Sequence, residues 1–280
     1  MKTIRAFAIL IVMVFPILSY AGTTLTFGIY TADKPSAVVR QFRPILSVIE
    51  SEMSQRVGEP VKIKMQVAKT YEEGIQDIVK GRVDFSRFGP ASYVLATQQN
   101  PEITILAIES NKGKKRFNGV ICVANESPFQ KVEDLKGHRF AFGDELSTIG
   151  RYLSQQYLLE HGIKASALSH YEYLGRHDRV GMAVAQGQFE GGALKESTFK
   201  KLVKKGALLR PIATFPNVTK PWIARSGLSE KLRQALSQVL LDLEDPKALK
   251  ALGKDGFLPG SDEDYTIIRL AMENNDAFFH

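Results

Sequence analysis

The sequence predicts an α/β fold built as two lobes, and three observations lead to this prediction. Residues 24–109 alternate strand-like apolar runs with segments whose apolar residues recur at helical spacing, and this alternation restarts at residue 119. Strands that alternate with helices are typical of a mainly parallel sheet flanked by helices. The two blocks together exceed the size that one hydrophobic core usually organises, and no disordered linker lies between them.

The first 21 residues are predicted to be a secretory signal peptide. A basic start, Met1–Arg5, precedes an unbroken apolar run over residues 6–18, and Ser19 and Ala21 place small residues at the −3 and −1 positions of a cleavage site. The apolar run is shorter than the ~20 residues that span a bilayer comfortably. We therefore expect a mature chain of 259 residues that begins at Gly22. No cysteine lies near the cleavage site to carry a lipid, which indicates free diffusion in a periplasm.

The first block is predicted to hold four strands and three helices. The strand segments are residues 24–30, 61–67, 83–88 and 104–109, and the helix segments are residues 36–54, 71–80 and 91–98. The first helix carries Phe42, Ile45 and Ile49 at the spacing of one helical face. The second strand alternates apolar and polar residues as a half-buried strand does, and Gly81 ends the second helix.

The second block repeats this order. Its strand segments are residues 119–124, 139–142, 169–174 and 191–194, its helix segments are residues 132–137, 148–160 and 178–186, and a proline-containing connection at residues 215–222 leads to helices at 228–243 and 246–252. We expect lobe one to comprise residues 22–116 and 220–280, and lobe two to comprise residues 117–219. The chain would cross between them near Phe117–Asn118 and Thr219–Trp222. A cleft between two such lobes is the usual place for a ligand.

Charge and motifs argue against several kinds of function. The formal charge is +7, and loss of Lys2 and Arg5 with the signal peptide lowers it to about +5. Basic residues are scattered apart from two short runs, and no stacking-aromatic motif accompanies them, so we expect no nucleic-acid partner. The sequence has neither a G-x-x-x-x-G-K-[ST] loop nor a G-x-G-x-x-G motif, and its five histidines lack metal-ligand spacing. We therefore expect no cofactor and no metal.

Three strand-to-helix turns carry the functional signal. They lie at residues 88–93, 143–150 and 175–178. In α/β sheets such turns stand at the carboxyl ends of strands, where ligands bind. A helix N-terminus offers unpaired N–H groups and about half a positive charge, and nearby Ser and Thr hydroxyls add neutral donors. Ordinary helix capping explains any one of the turns, but three of them together favour a site for a small oxyanion.

Catalysis is the alternative from another class of function. Ser147, His177 and Asp178 could be drawn as a triad. However, a His and an Asp that are adjacent on one helical turn do not point the same way, and the sequence contains no G-x-S-x-G elbow. We expect a binding protein that is not an enzyme. Inertness toward activated esters would count against a hydrolase that uses Ser147 and His177.

The turns also carry a family resemblance. The matching text is Phe-Gly-Pro-Ala-Ser-Tyr at residues 88–93, Asp-Leu-Lys-Gly-His-Arg-Phe-Ala-Phe-Gly-Asp at 134–144, Ser-Thr-Ile-Gly at 147–150, Gly-Arg-His-Asp at 175–178 and Ala-Val-Ala-Gln-Gly-Gln at 183–188. In order and spacing these segments resemble the phosphate/phosphite/phosphonate-type substrate-binding proteins of ABC transporters, which have the type II periplasmic binding protein fold. The resemblance covers essentially the whole mature chain.

The resemblance implies a set of ligand-binding residues. They are Tyr71, Phe88, Tyr93, Ser147, Thr148, Ile149, Gly150, His177 and Lys220. In the family the Ser-Thr-Ser-Gly turn binds the oxygens of the phosphorus group. Here Ile149 replaces the second Ser, so a backbone N–H remains but a hydroxyl worth ~1 kcal/mol is lost. Some members have a Tyr where this chain has Phe88.

A second departure concerns selectivity. Family members that bind aminoalkylphosphonates hold the amine with acidic residues, and the approximately aligned positions here are Ser197 and Lys220. A cation at Lys220 would repel an amine and attract a second negative group. We therefore expect that 2-aminoethylphosphonate is not favoured. Two alternatives stay open: Lys220 is a solvated lysine at the hinge, or the site has moved to another anion such as a carboxylate.

The resemblance implies a complete function. The protein would be the periplasmic solute-binding component of an ABC importer, a monomer that closes by a hinge around a small phosphorus oxyanion and presents it to an inner-membrane permease. No chemistry would take place. A periplasmic sensor that reports the ligand to a histidine kinase or a chemoreceptor has the same fold and stays open, and a neighbouring gene for a permease or a kinase would separate the two.

Overall fold

The computed structural model describes residues 22–30 and 35–280 of the chain. The predicted signal peptide at residues 1–21 lies outside the described residues. Of the helices within the described ranges, none is both long and apolar enough to cross a membrane. These residues form two β-sheets, each flanked by helices, and the predicted α/β class is confirmed.

Most elements lie close to their predicted positions. The strands are β1 (Thr23–Tyr30), β2 (Val61–Ala68), β3 (Phe85–Arg87), β4 (Thr104–Glu109), β5 (Arg116–Ala124), β6 (Arg139–Phe142), β7 (His170–Tyr173), β8 (Gly191–Lys195), β9 (Leu209–Val218), β10 (Pro221–Ala224) and β11 (Phe257–Leu258). The α-helices are α1 (Pro35–Val57), α2 (Tyr71–Val79), α3 (Pro90–Gln99), α4 (Leu153–Glu160), α5 (His177–Ala185), α6 (Glu196–Lys204), α7 (Glu230–Leu241), α8 (Pro246–Leu252) and α9 (Thr266–Glu273). A π-helical segment at Thr148–Tyr152 leads into α4, and short 3₁₀ turns lie at Val132–Leu135, Ala165–Ala167, Asp262–Tyr265 and Asn274–Phe278.

Each sheet mixes parallel and antiparallel pairs. Sheet one has the order β11-β4-β10-β3-β1-β2, in which β1 is parallel to β2 and β3, whereas β10 is antiparallel to β3 and β4. Sheet two has the order β7-β6-β8-β5-β9, in which β6 is parallel to β7 and β8, whereas β5 is antiparallel to β8 and β9. Most strands of each sheet nevertheless run in one direction, as predicted, and the sheets are mixed because a few strands are reversed. The reversed strands are β10 and β11 in sheet one and β5 in sheet two.

The core of lobe one lies between sheet one and the helices α1, α7 and α8. Trp222 is fully buried at its centre, stacked on Phe27 with ring centroids 5.1 Å apart and met edge-on by Phe257 at 5.5 Å. From α1, Phe42 and Ile45 enter the same cluster, because residues three and four apart lie on one helical face. This packing holds β3, β4 and β10 side by side, so the ends of β3 and β4 lie beside the start of antiparallel β10 at one edge of the sheet.

The predicted connection at residues 215–222 instead belongs to two strands, β9 and β10. Pro216 and Pro221 suggested an irregular segment, since proline removes a ladder donor in the middle of a sheet. The structure tolerates Pro216 because β9 is the edge strand of sheet two and Pro221 because it is the first residue of β10. The two strands carry the chain from lobe two back to lobe one.

The end of the chain packs against lobe two. The ring of Phe278 meets that of Phe142 edge-on at 5.8 Å, and Asn275 Oδ1 accepts a hydrogen bond from Arg151 Nε at 3.0 Å. Asn275 Nδ2 donates to Gln155 Oε1 at 2.7 Å. This placement differs from the prediction that residues 220–280 belong to lobe one, because apolar rings at the C-terminus extend the core of the other lobe. We propose that lobe one ends near residue 273 and keep the other boundaries as proposed.

Candidate functional site

The three predicted turns meet where the two lobes face each other. They follow the carboxyl ends of β3, β6 and β7, so one comes from lobe one and two come from lobe two. We call residues 88–93, 143–150 and 175–178 together the turn site. Its contacts are made by backbone groups, short hydroxyl side chains and one histidine.

A hydrogen bond joins the turns of the two lobes. The N–H of Ala91 donates to Thr148 Oγ1 at 2.9 Å. Ala91 is the second residue of α3 and follows Pro90, so its N–H belongs to the group that a helix cannot satisfy internally. The positive end of α3 therefore faces the hydroxyl of Thr148 across the cleft.

The two turns of lobe two form one unit. Gly143 N donates to Gly150 O at 2.8 Å, and Gly175 N donates to Gly143 O at 3.0 Å. A Cβ added to Gly143 would lie 2.8 Å from the Gly150 Cα, closer than real side chains approach a backbone. The close approach of these backbones therefore requires glycine at Gly143 and Gly150.

Ser147 starts the π-helical segment. Its Oγ accepts a hydrogen bond from Gly150 N at 3.0 Å, which is an N-cap contact. The first N–H groups of the segment, those of Thr148 and Ile149, have no partner within a helix. The Ile149 side chain is buried in the apolar cluster beneath the turn, so this residue has only backbone to offer to a ligand.

Tyr30 is a member of the site that sequence reasoning missed. Its hydroxyl accepts a hydrogen bond from Gly89 N at 2.6 Å and donates to Ser92 Oγ at 2.7 Å. Burial raises the pKa of Tyr30 to about 12, so the phenol keeps its proton. The ring centroid of Tyr71 lies 4.3 Å from that of Tyr30. The fully buried ring of Phe88 meets the Tyr30 ring edge-on, with centroids 5.2 Å apart. The sequence feature that could have indicated Tyr30 as a site residue was its position at the end of an apolar strand.

His177 lies at the first turn of α5 beside the glycine unit. Its Nδ1 is buried and has no hydrogen-bond partner among the residues that the structure describes. The same atom lies 3.6 Å from the position that a Cβ on Gly143 would take. Burial, followed by the charges of Lys195 and Lys220, lowers the pKa of His177 to about 3. A neutral imidazole next to the turn can still offer one N–H to an anion.

The structure places Tyr93 away from the other predicted residues. Its hydroxyl donates to Asp262 Oδ1 at 2.9 Å, and its ring packs on Tyr265 with centroids 4.9 Å apart. These contacts place the Tyr93 side chain on the face of α3 that packs against the C-terminal segment. We therefore leave Tyr93 out of the proposed site.

A second group of polar residues surrounds Glu109 at the edge of sheet one. The buried Glu109 carboxylate accepts a hydrogen bond from Arg87 Nη2 at 3.0 Å, lies 3.4 Å from Lys254 Nζ and accepts from Trp222 Nε1 at 3.3 Å. Burial by itself raises the pKa of this carboxyl, but the charges of Arg87 and Lys254 outweigh it and lower the pKa to about 2. Glu109 is therefore ionised at neutral pH.

Lys195 and Lys220 extend this group, and we call the four cations Arg87, Lys195, Lys220 and Lys254 the basic cluster. Burial first, and then the charges of Arg87 and Lys195, hold the pKa of Lys220 well below its usual value. Lys220 is half-buried. Ser197, the other position of the expected amine pocket, is exposed on α6.

Most of the basic cluster was missed by sequence reasoning. Arg87, Glu109 and Lys195 are each the last residue of a strand, β3, β4 and β8. A charged residue at the carboxyl end of an apolar strand was the available signal, because such ends gather at one edge of a sheet. Lys254 lies in a loop after α8 and had no comparable signal.

The described residues include no group of three or more His, Cys, Asp or Glu side chains that could hold a metal ion. The donors of the turn site are N–H and O–H groups, which suit an anion. The basic cluster adds full positive charges. Both parts of the cleft therefore have the chemistry of an anion site.

Comparison with known proteins supports the same interpretation. Residues 27–265 match the family described as ABC transporter, phosphonate, periplasmic substrate-binding protein. A phosphate-import protein PhnD of Mycolicibacterium smegmatis is 24% identical over 196 residues, which cover 66% of this chain and 59% of that relative. The match thus spans less than two thirds of the length of that protein. A probable ABC transporter phosphite-binding protein, PhnD1 of Prochlorococcus marinus, is 25% identical over 218 residues, 71% of each chain.

The fold agrees with these matches. The structure of Prochlorococcus marinus PhnD1 in complex with methylphosphonate superposes with a TM-score of 0.77 at 21% identity, covering 91% of this chain and 98% of that chain. A binding protein component of an ABC phosphonate transporter from Pseudomonas aeruginosa also superposes with a TM-score of 0.77, at 20% identity over 92% of this chain and 88% of that chain. The resemblance stated from the sequence is confirmed, and the chain belongs to the family of periplasmic substrate-binding proteins of phosphonate ABC transporters.

Proposed function

We propose that this protein is the solute-binding component of an ABC importer and that it captures a small phosphorus oxyanion between its lobes. The observation that carries the proposal is the meeting of three strand-to-helix turns, which are joined by hydrogen bonds of Thr148 and Gly143. They bring together the N-terminus of α3, the hydroxyls of Ser147 and Thr148, and a neutral His177 whose Nδ1 has no partner among the described residues. Such neutral donors stabilise an oxyanion without a metal.

The ligand would control the relative position of the lobes. The lobes are joined by two segments, and Thr219 N in one donates to Lys115 O in the other at 3.2 Å. Opening about this double connection breaks the hydrogen bond between Ala91 and Thr148, whereas an oxyanion bound to both turns holds them together. Hinge closure of this kind is a common response of two-lobed proteins to their ligands.

Family membership supports the remaining parts of the proposal. A periplasmic location, an inner-membrane permease as partner and a monomeric state are what the family implies for this chain. The names of the relatives refer to phosphate import and phosphite binding, and PhnD1 was solved with methylphosphonate. We propose a ligand from the same chemical class.

A hydrolytic role receives no support from the geometry. The Asp178 carboxylate accepts a hydrogen bond from Arg176 Nε at 2.9 Å, and His177 Nδ1 has no partner among the described residues. Ser147 Oγ is engaged by Gly150 N. A relay from Asp through His to Ser is therefore not assembled, which supports a binding protein without catalysis.

The test is ligand binding by protein that has been unfolded and refolded to remove bound solute. Phosphate, phosphite, methylphosphonate, sulfate and several carboxylates are compared by thermal shift and titration calorimetry. A ligand at about 100 times its Kd stabilises the protein by ~2.7 kcal/mol, which raises Tm by roughly 5–10 °C in a chain of this size. Binding of a phosphorus oxyanion is expected. Binding of carboxylates alone would contradict the proposal.

Transport and sensing are separated in cells. If the protein serves an importer, deletion of its gene abolishes uptake of the ligand found by calorimetry. If uptake is unchanged and only a transcriptional or chemotactic response is lost, the protein is a sensor.

A further inference from the structure

The basic cluster holds more positive charge than its carboxylate can neutralise. Glu109 is fully buried and already contacts two cations, Arg87 and Lys254, whose side chains are only 10% and 11% exposed. One negative charge therefore faces two positive charges before the other lysines are considered. Neither Lys195 nor Lys220 forms an ion pair with any residue within 22–30 or 35–280.

The nearest carboxylate in the sequence is engaged elsewhere. Glu196 follows Lys195 directly, but its Oε1 lies 2.6 Å from Lys200 Nζ and its Oε2 accepts from Asn118 Nδ2 at 3.4 Å. The Phe117 ring lies 5.3 Å from the Nζ of Lys195 and 5.8 Å from that of Lys254. One ring shared by two ammonium groups supplies about 0.5–2 kcal/mol per contact, which does not replace a counter-ion. The cluster keeps a formal charge of +3 when every lysine is protonated.

Partial burial makes this surplus charge unfavourable, because both Lys195 and Lys220 are half-buried. Burial first, and then the charges of Arg87 and Lys254, lower the pKa of Lys195 to about 8, and Lys220 is shifted in the same direction. Buried charges without a partner destabilise a fold. Groups perturbed in this way inside a cleft are common at functional sites.

The four cations come from different parts of the molecule. Arg87 ends β3 and Lys254 follows α8, both in lobe one, while Lys195 ends β8 in lobe two. Lys220 lies in the segment that connects β9 of lobe two to β10 of lobe one. Like charges are therefore brought together when the lobes approach each other, and an anion between them would remove the repulsion.

Polar atoms without partners lie beside the cluster and point to the same conclusion. Thr219, immediately before Lys220, is 0% exposed, and its Oγ1 has no hydrogen-bond partner among the described residues. His177, whose Nδ1 is likewise without a partner there, belongs to the turn site and lies within the electrostatic reach of Lys195 and Lys220. The strand β8, which ends at Lys195, also pairs with β6, which leads into the turn at residues 143–150, so the turn site and the basic cluster are neighbours.

We propose that the basic cluster is a second anion subsite and that the ligand is a small organic phosphorus oxyanion with a second negatively charged group. The phosphorus group binds at the turn site, and the second group, a carboxylate or another phosphorus oxyanion, binds Lys195 and Lys220. This inference rests on the proposed function and specifies its ligand class. It also predicts that a ligand with an amine at its second end is repelled.

The test uses pairs of ligands of equal length that differ in charge at one end. Phosphonoacetate is compared with ethylphosphonate, 3-phosphonopropionate with propylphosphonate, and methylenediphosphonate and 2-aminoethylphosphonate are added. Calorimetry is performed on protein refolded after removal of solute. We expect the charged member of at least one pair to bind ten times or more tighter than its neutral partner, and 2-aminoethylphosphonate to bind more weakly than propylphosphonate, which has the same length. Phosphonoacetate and methylenediphosphonate distinguish a carboxylate from a phosphorus group at the second end.

Lys195→Met and Lys220→Met remove the charges and keep the apolar stems. Each should reduce the preference for the charged ligand to less than threefold and raise the Tm of the free protein, since a half-buried unpaired charge is lost. A lysine that only supports the fold would not change ligand selectivity and stability in opposite directions. Lys250→Met, an exposed lysine on α8, is the matched control and should change neither quantity.

The outcomes separate the two proposals. If the neutral and charged members of both pairs bind equally well, the second subsite is wrong and the proposed function stands. If both lysine variants keep the full preference for the charged ligand, its assignment to the basic cluster is wrong. If no phosphorus compound binds, the proposed function itself fails.

Discussion

The two ends of the cleft would hold negative charge in opposite ways. The turn site uses neutral groups, such as the Ala91 N–H, which donates a hydrogen bond to the Thr148 hydroxyl oxygen at 2.9 Å. The basic cluster uses full charges, and two of its lysines have no carboxylate partner among the described residues. A hydroxyl accepts as well as donates, so neutral groups can pair with one another without a ligand, whereas like charges can only repel. The difference suggests that the turn site recognises the shape of an oxyanion and that the basic cluster recognises net charge.

The largest effect is expected when Glu109, the only acid among the described residues that contacts the basic cluster, is neutralised. Glu109→Gln leaves buried Arg87 and Lys254 without a counter-ion, and breaking a buried ion pair costs about 3–5 kcal/mol. We expect this loss in the free energy of unfolding measured by urea titration. An anionic ligand should restore part of the lost stability, so phosphonoacetate should raise the Tm of the variant more than that of the wild type.

The control for this prediction is a pair on the surface. Asp242→Asn removes the partner of Arg56, whose side chain is 36% exposed, and should change stability by about 0–1 kcal/mol. If Glu109→Gln is as stable as Asp242→Asn, repulsion within the basic cluster is weak and the contrast between the two ends disappears.

A change at the turn site should act on every phosphorus ligand alike. Thr148→Val removes the hydroxyl that faces the α3 N-terminus, and a hydrogen bond to a charged group is worth about 1.5–3 kcal/mol, or roughly 10–150-fold in Kd. Calorimetry should show the same loss for ethylphosphonate and for phosphonoacetate. Thr214→Val, on an exposed part of β9, is the control and should bind normally. A loss confined to phosphonoacetate would show that the two ends do not act separately.

The pH dependence of stability should report on His177. Its pKa is about 3 in the folded protein and ~6.5 when unfolded. As the pH falls from about 6.5 toward 3, the unfolded chain binds a proton that the folded protein does not, so stability decreases with acid. We expect His177→Gln to remove about 2 kcal/mol of the loss between pH 7 and pH 5, as measured by urea titration at both values.

Exposed His170 is the control, and His170→Gln should keep the wild-type pH dependence. The same histidine also tests the link between the two ends. Lys220→Met should raise the pKa of His177, as followed by NMR titration, because one of the charges that disfavours its protonation is gone. An unchanged pKa would mean that the turn site and the basic cluster are electrostatically independent.

The smallest effect on binding is expected from Tyr93→Phe. The variant loses the hydrogen bond to Asp262 and should be about 0.5–1.5 kcal/mol less stable. Affinity for methylphosphonate should stay within twofold of wild type, since this hydroxyl points away from the turn site. A loss greater than tenfold would return Tyr93 to the site that the family resemblance implied.

Much of the fold could be predicted because its signals are local. The strands at 104–109 and 139–142 and the helix at 246–252 have their predicted bounds, since apolar periodicity and helix caps depend on neighbouring residues. The direction in which strands pair is not local, and the reversed strands were missed for that reason. The strands β9 and β10 were not predicted because each contains a proline. A strand accepts a proline only at a sheet edge or at its first residue, and the sequence does not show these positions.

The sequence by itself determined the three turns. Ser147 caps the N-terminus of the π-helical segment, and Gly143 and Gly150 allow two backbones to approach closely. Each of these residue types can be recognised in the sequence. These requirements are met within a few residues, so no knowledge of distant contacts is needed. The turns were therefore predicted as an anion site before their meeting was known.

Only the tertiary structure decided which charges meet. Arg87, Glu109, Lys195 and Lys220 are separated by up to 133 positions in the sequence and gather because three strands end, and a fourth begins, at the boundary between the lobes. Tyr30 reaches Gly89, and Tyr93 turns to Asp262, for the same reason. Electrostatic energy depends on distance and burial, and both are set by packing of residues that are remote along the chain.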